Sequence, residues 1–133
     1  MPRFSPEMIR TIALAGHGGS GKTTLAEALL AKAGAVNSPG SVEKGTTVCD
    51  FDPLEKQYQH SLNAAAVHFQ HRDTRVHLID TPGLPDFIGR AIGALPAVET
   101  AAIVVNAQNG IEMITNRMMQ WAKKRDLCRM III

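Results

Sequence analysis

Cysteine is scarce. Cys49 and Cys128 are the whole complement and lie far apart in the chain. This pattern reads as two reduced thiols of a cytosolic protein and excludes a disulfide framework. The net charge is slight, +2 at neutral pH, too small to argue for a nucleic-acid partner, and no direct DNA binding is expected. No run of about 18 apolar residues occurs, so no membrane span is expected. The opening MPRFSPEMIR lacks the apolar middle of a signal peptide. Internal repeats and low-complexity tracts are absent too.

What is present suits one core. Apolar residues make up 45% of 133 positions, enough for a single domain. MIRTIALAG, residues 8–16, reads as a buried strand. GKTTLAEALLAKAGA, residues 21–35, reads as a helix with Leu25, Ala28, Leu29 and Ala33 inward and Gly34 as its stop. Residues 35–60 carry Pro39, Gly40, Gly45 and Pro53 and read as a long loop holding one helical turn. A loop of that length in a compact domain points to function. AAVHFQHRDTRVHLID, residues 65–80, predicts two strands around a turn at Arg72-Asp73. A short helix over 86–95, a buried strand over 100–107 and an amphipathic helix over 113–126 follow. That last helix would turn Ile114, Met118, Trp121 and Ala122 inward and leave Lys123, Lys124 and Arg125 solvated, which also suits the helix dipole. CRMIII ends the chain with the character of a buried strand. The expectation is therefore the front part of a longer protein. Strands alternating with helices predict an α/β fold with a mostly parallel sheet flanked by helices.

Two motifs carry chemistry. Gly16-His17-Gly18-Gly19-Ser20-Gly21-Lys22-Thr23 fits G-x-x-x-x-G-K-[ST] and lies between a strand and a helix. Its glycines let backbone N–H groups curl inward, and the helix N-terminus adds free N–H groups and positive dipole character. Lys22 would reach outer phosphates and Thr23 would bind Mg²⁺. Candidate nucleotide contacts are His17, Gly18, Gly19, Ser20, Gly21, Lys22, Thr23 and Thr24. The second motif is LIDTPG, residues 78–83. Asp80 closes a buried strand, where α/β sheets bind ligands, and a carboxylate there holds Mg²⁺ directly or through water. Gly83 would present its N–H to a terminal phosphate. Lys22 and Gly83 are the candidate catalytic residues.

These residues together resemble translational GTPases, elongation factor G most closely, and within that family the elongation factor G-like paralogue group, whose phosphate loop reads GHGGSGKT. DTPGLPDF keeps the family's Asp-Phe at Asp86-Phe87, and residues 40–62 resemble its first switch region. The likeness covers the whole chain, which would be the N-terminal part, residues 1–133, of one P-loop GTPase domain of the Ras-like G-domain type. It implies GTP or GDP and Mg²⁺ as cofactors, GTP hydrolysis, action on the ribosome, and a cytoplasmic location. The family's third magnesium ligand lies nineteen positions before the DTPG aspartate, which here is Ser61; Thr47 and Thr46 are the alternatives.

Departures from the family accompany the matches. Tyr58-Gln59 stands where the family has Arg-Gly, Gly19 where elongation factor G has aspartate, and Leu84 where a histidine normally positions the attacking water. Leucine offers no hydrogen bond, so slow intrinsic turnover is expected, or a partner that supplies the missing group. The family's guanine-reading Asn-Lys-x-Asp would follow a strand like RMIII, where the chain ends. A nucleotide switch with little hydrolysis and an ATP-using P-loop protein remain open as alternatives. His68, His71 and His77 lie around an exposed hairpin, and zinc is not expected there. Trp121, Met113, Met118 and Met119 are expected to pack the last helix, and His17 to touch phosphate, the switch segments or solvent.

Overall fold

A computed structural model describes residues 4–133. Five strands form one sheet: β1 (Ile9–Ala15), β2 (Ala65–His71), β3 (Thr74–Asp80), β4 (Thr100–Val104) and β5 (Cys128–Ile132), in the spatial order β2-β3-β1-β4-β5. β1 runs parallel to both β3 and β4, and β4 to β5; only β2 is antiparallel, to β3. The predicted α/β class and mostly parallel sheet are therefore observed.

Strand alternation sorts the core into two layers. Ala13, Ala15, Ala101 and Ile103 point to one face, where α3 (Ile88–Ala94) and α4 (Met113–Lys124) cover them with Ala91, Ile114, Met118 and Ala122. Leu14, Leu78, Ala102 and Val104 point to the other, under Ala26 of α1 (Lys22–Lys32) and Cys49 of the long loop. Burial on both faces is why the central strands read as continuous apolar runs.

α1 ends as its glycine predicts. Gly34 takes φ +72°, its N–H bonds the Ala31 carbonyl at 3.0 Å, and the Ala35 N–H reaches back to Leu30 at 2.9 Å, a Schellman cap. Its inward face is displaced from the expected one, however. Lys22, Ala26, Glu27 and Leu30 are buried, Leu25 and Leu29 are only partly covered, and Ala28 is exposed. Two of the four buried positions are charged, and a search for apolar periodicity passes over them.

The helical turn expected in the long loop is α2 (Pro53–Tyr58). Asp52 accepts from the Leu54 N–H at 2.9 Å, and Glu55 accepts from the Asp52 N–H at 2.9 Å. This capping box, with Pro53 in the first turn, starts the helix. Gln59 ends it in the left-handed region at φ 55°. The hairpin turns at Arg72-Asp73 as expected, with His68 and His77 cross-strand neighbours 5.9 Å apart.

Two expectations fail. β5 is an edge strand, and Met130 and Ile131 are exposed although their composition reads as buried. Met113 is exposed at the first position of α4, while Met118 is fully buried and Met119 and Trp121 partly so. No helix among the described residues is long and apolar enough to cross a membrane.

Candidate functional site

The C-terminal ends of β1 and β3 converge on a cavity of about 280 Å³, bounded by the phosphate loop, the DTPG turn and residues 59–61 of the long loop. α1 begins here at Lys22. Its N-cap is Gly21, at φ +93°, and no side chain caps it or places an acid in its first turn. The first-turn N–H groups are left for a ligand.

Lys22 is buried. Its Nζ donates to the His17 carbonyl at 2.7 Å and reaches Ser20 Oγ at 3.5 Å. Burial lowers its pKa to about 8, against the opposing pull of Asp80 and Glu112. Asp80 is 1% exposed. Burial raises its pKa to about 6, while the Thr23 hydrogen bond and the Lys22 charge act the other way. Such a pair of partly compensated buried charges marks a site prepared for a ligand.

The oxygens around Asp80 form a chain. Thr23 Oγ1 donates to Asp80 Oδ2 at 2.6 Å, and Ser61 Oγ donates to Asp50 Oδ1 at 2.7 Å. Each hydroxyl has a single proton, so both protons are spent on carboxylates. The two hydroxyl oxygens nevertheless stand 3.2 Å apart, lone pair facing lone pair. Asp80 Oδ1 is buried with no hydrogen-bond partner. Bare oxygens gathered around a buried carboxylate are the donor set of a hard divalent cation such as Mg²⁺, and the residues present fit that ion.

Of the alternatives for the third ligand, Ser61 lies beside Thr23. Thr47 instead donates to Asp50 Oδ2 at 2.9 Å, and Thr46 accepts from the Ser41 N–H at 3.0 Å. His17 does not line the cavity. Its Nε2 lies 3.6 Å from Glu112, next to α4, and its Nδ1 is buried without a partner. Gly18, Gly19, Gly21, Lys22, Thr23, Thr24 and Gly83 do line it. Gly83 offers its carbonyl, not only its N–H: the Gly18 N–H donates to it at 2.9 Å. A Cβ on Gly83 would come within 2.5 Å of Lys22 Nζ, so only glycine fits. Thr81 ties the same turn to β1 through the Leu14 carbonyl at 2.7 Å.

Sequence reasoning missed three buried carboxylates. Asp50 joins Ser61 to Thr47. Glu27 on α1 accepts from the Gly40 and Val48 N–H groups at 2.8 and 2.6 Å. Glu55 accepts from Leu62 and Asn63 at 2.9 and 2.8 Å. All three fasten the long loop around the cavity. The D-P-L-E spacing signals Glu55, whereas nothing local distinguishes Asp50 or Glu27 from surface acids.

The family model for the elongation factor Tu GTP binding domain matches residues 7–133. An elongation factor G-like protein of Mycobacterium tuberculosis (strain H37Rv) is 39% identical over 96% of this chain and 18% of its own length. The mitochondrial ribosome-releasing factor 2 of Schizosaccharomyces pombe is 34% identical over 98% of this chain and 16% of its own. A crystal structure of a protein from Thermus thermophilus superposes with a TM-score of 0.91 at 44% identity, over 93% of this chain and 19% of that one. The chain thus spans about a fifth of the length of the proteins it matches.

Proposed function

The chain belongs to the translational GTPases, with a GTP-binding domain of the elongation factor Tu type, and from that premise we propose that it is the N-terminal part, residues 1–133, of one Mg²⁺-dependent GTP-hydrolysing switch domain that acts on the ribosome in the cytoplasm. The observation that carries this reading is the lone-pair contact between Thr23 and Ser61 beside the unpartnered Asp80 oxygen. Thr23, Ser61 and Asp80 hold the ion. When bound, the ion would supply charge neutralisation for the phosphate groups.

The chain's own groups do the rest. Gly18, Gly19, Ser20, Gly21, Thr23 and Thr24 bring N–H groups to the phosphates. Lys22 leaves the His17 carbonyl for the outer phosphates, which its ammonium charge attracts. Gly83 turns its peptide so that its N–H meets the terminal phosphate and its carbonyl releases Gly18. The segments 38–62 and 80–90 then register the presence of that phosphate. The ribosomal site of action is supported by the name of the fission-yeast relative.

A second reading, a switch with little hydrolysis, is favoured by Leu84. It lines the cavity and offers no hydrogen bond to water.

Nucleotide competition on the whole protein tests binding. GTP and GDP are expected to displace a labelled guanine nucleotide, and ATP is not; Lys22→Ala is expected to lose both by at least about tenfold. Equal displacement by ATP would refute the assignment. Single-turnover hydrolysis with and without ribosomes separates the two readings: no cleavage under either condition leaves a switch alone.

A further inference from the structure

Hydrolysis of a triphosphate needs a group that orients water for in-line attack. The residue following DTPG does not provide one, since Leu84 is aliphatic. Most other polar groups on the cavity wall are already engaged. Thr23 and Ser61 give their protons to Asp80 and Asp50. Thr81 gives its proton to Leu14. The Gln59 amide turns to the Glu43 carbonyl at 3.3 Å. Lys22 is a donor only, and Glu43 would repel a polyphosphate.

His60 is different. It lines the same cavity as Leu84, Gly83 and Lys22, and no hydrogen bond from its ring is formed among the described residues. Its backbone is fixed on both sides. Its N–H donates to the Glu55 carbonyl at 3.3 Å, directly after the left-handed turn at Gln59. The next residues are held by Asp50 through Ser61 and by Glu55 through Leu62 and Asn63. An imidazole nitrogen that carries no proton accepts a hydrogen bond, and His60 directly precedes Ser61, whose hydroxyl lies 3.2 Å from that of Thr23.

We propose that His60 supplies, from the long loop, the water-orienting group that Leu84 lacks. This rests on the reading of the cavity as a triphosphate hydrolase. The imidazole accepts a hydrogen bond from water. The water oxygen bonds to the terminal phosphorus as the bond from that phosphorus to the bridging oxygen breaks. The diphosphate leaves with the electron pair, and the water's proton ends on the released orthophosphate.

The test uses the whole protein, with His60→Ala and His60→Gln, and two measurements. One is single-turnover GTP hydrolysis with ribosomes. The other is the affinity for GDP alone and for GDP with aluminium fluoride and Mg²⁺, a mimic of the transition state. His60→Ala is expected to slow hydrolysis by about 10²-fold and to weaken the fluoride complex comparably, leaving GDP affinity unchanged. Glutamine, which still accepts a hydrogen bond, is expected to retain most of both. Adding Leu84→His to His60→Ala is expected to recover hydrolysis. His60→Ala behaving as the parent in both measurements overturns the proposal and leaves the hydrolase reading standing. An equal loss of GDP affinity also overturns it, because it reveals a structural role. A parent that binds GTP and never cleaves it removes both readings.

Discussion

Asp80 illustrates what a buried carboxylate with an unpartnered oxygen costs its own fold. Its pKa is raised to about 6, chiefly by burial, from an ordinary 3.8. The folded state therefore keeps a proton that the unfolded chain has released between those values. Its contribution to stability is fully present below pH 3.8 and is lost as pH rises through about 6. The shift corresponds to about 3 kcal/mol at neutral pH. Asp80→Asn removes the charge and keeps the shape. Without ligand at about pH 7.5, this variant is expected to be more stable than the parent by about 1–3 kcal/mol, read from thermal melts, and to gain nothing from Mg²⁺ with GTP. A lower melting point in the empty protein would show that Asp80 is held by something other than the cation. At this scale much was legible. Gly16 to Thr23 and Asp80 follow fixed spacings imposed by phosphate geometry. Glu27 and Asp50 were not legible, because a buried acid differs from a surface acid only in its surroundings.

Among the elements, α3 is hydrogen-bonded to the end of the long loop through Arg90. Arg90 of α3 donates to the Leu62 carbonyl and to Asn63 Oδ1, both at 2.6 Å, and its guanidinium lies 5.7 Å from the Phe87 ring centre. The DTPG segment leads directly into α3, so Arg90 ties its position to that of Ser61. Arg90→Ala is expected to speed amide hydrogen exchange at residues 61–63 by about tenfold while leaving α1 and β1 unchanged. Asn63→Ala added to it should change little further, since the bond is already gone. Protection unchanged in Arg90→Ala would mean that Asp50 and Glu55 hold the segment without it. The same scale explains the misread face of α1. Lys22 and Glu27 occupy its inner stripe beside Ala26 and Leu30, and apolar periodicity, blind to the two charged positions, selects Leu25, Ala28, Leu29 and Ala33 instead.

Across the whole molecule, the two-layered sheet separates rigid and responsive parts. The layer under α3 and α4 is almost wholly apolar, built from residues such as Leu95, Ile103, Ile114 and Met118. The other layer is closed partly by a loop that buried carboxylates hold in place. The overall α/β order was readable from alternating periodicities. The carboxylate fastening was not, because it depends on contacts between segments far apart in the chain. Cys49, on the inner side of that loop, is 2% exposed, and burial pushes its thiol well above the ordinary range, reinforced by the surrounding carboxylates. Cys128 is exposed. A maleimide at about pH 7.5 is therefore expected to label Cys128 promptly and Cys49 only as often as the loop lifts, followed by peptide mapping, with Mg²⁺ and a non-hydrolysable GTP analogue slowing the second rate alone. Equal rates at both thiols would mean the cover is open most of the time. The sulfur under the loop is thus a built-in stopwatch: its alkylation clocks each departure of the cover with no foreign dye attached.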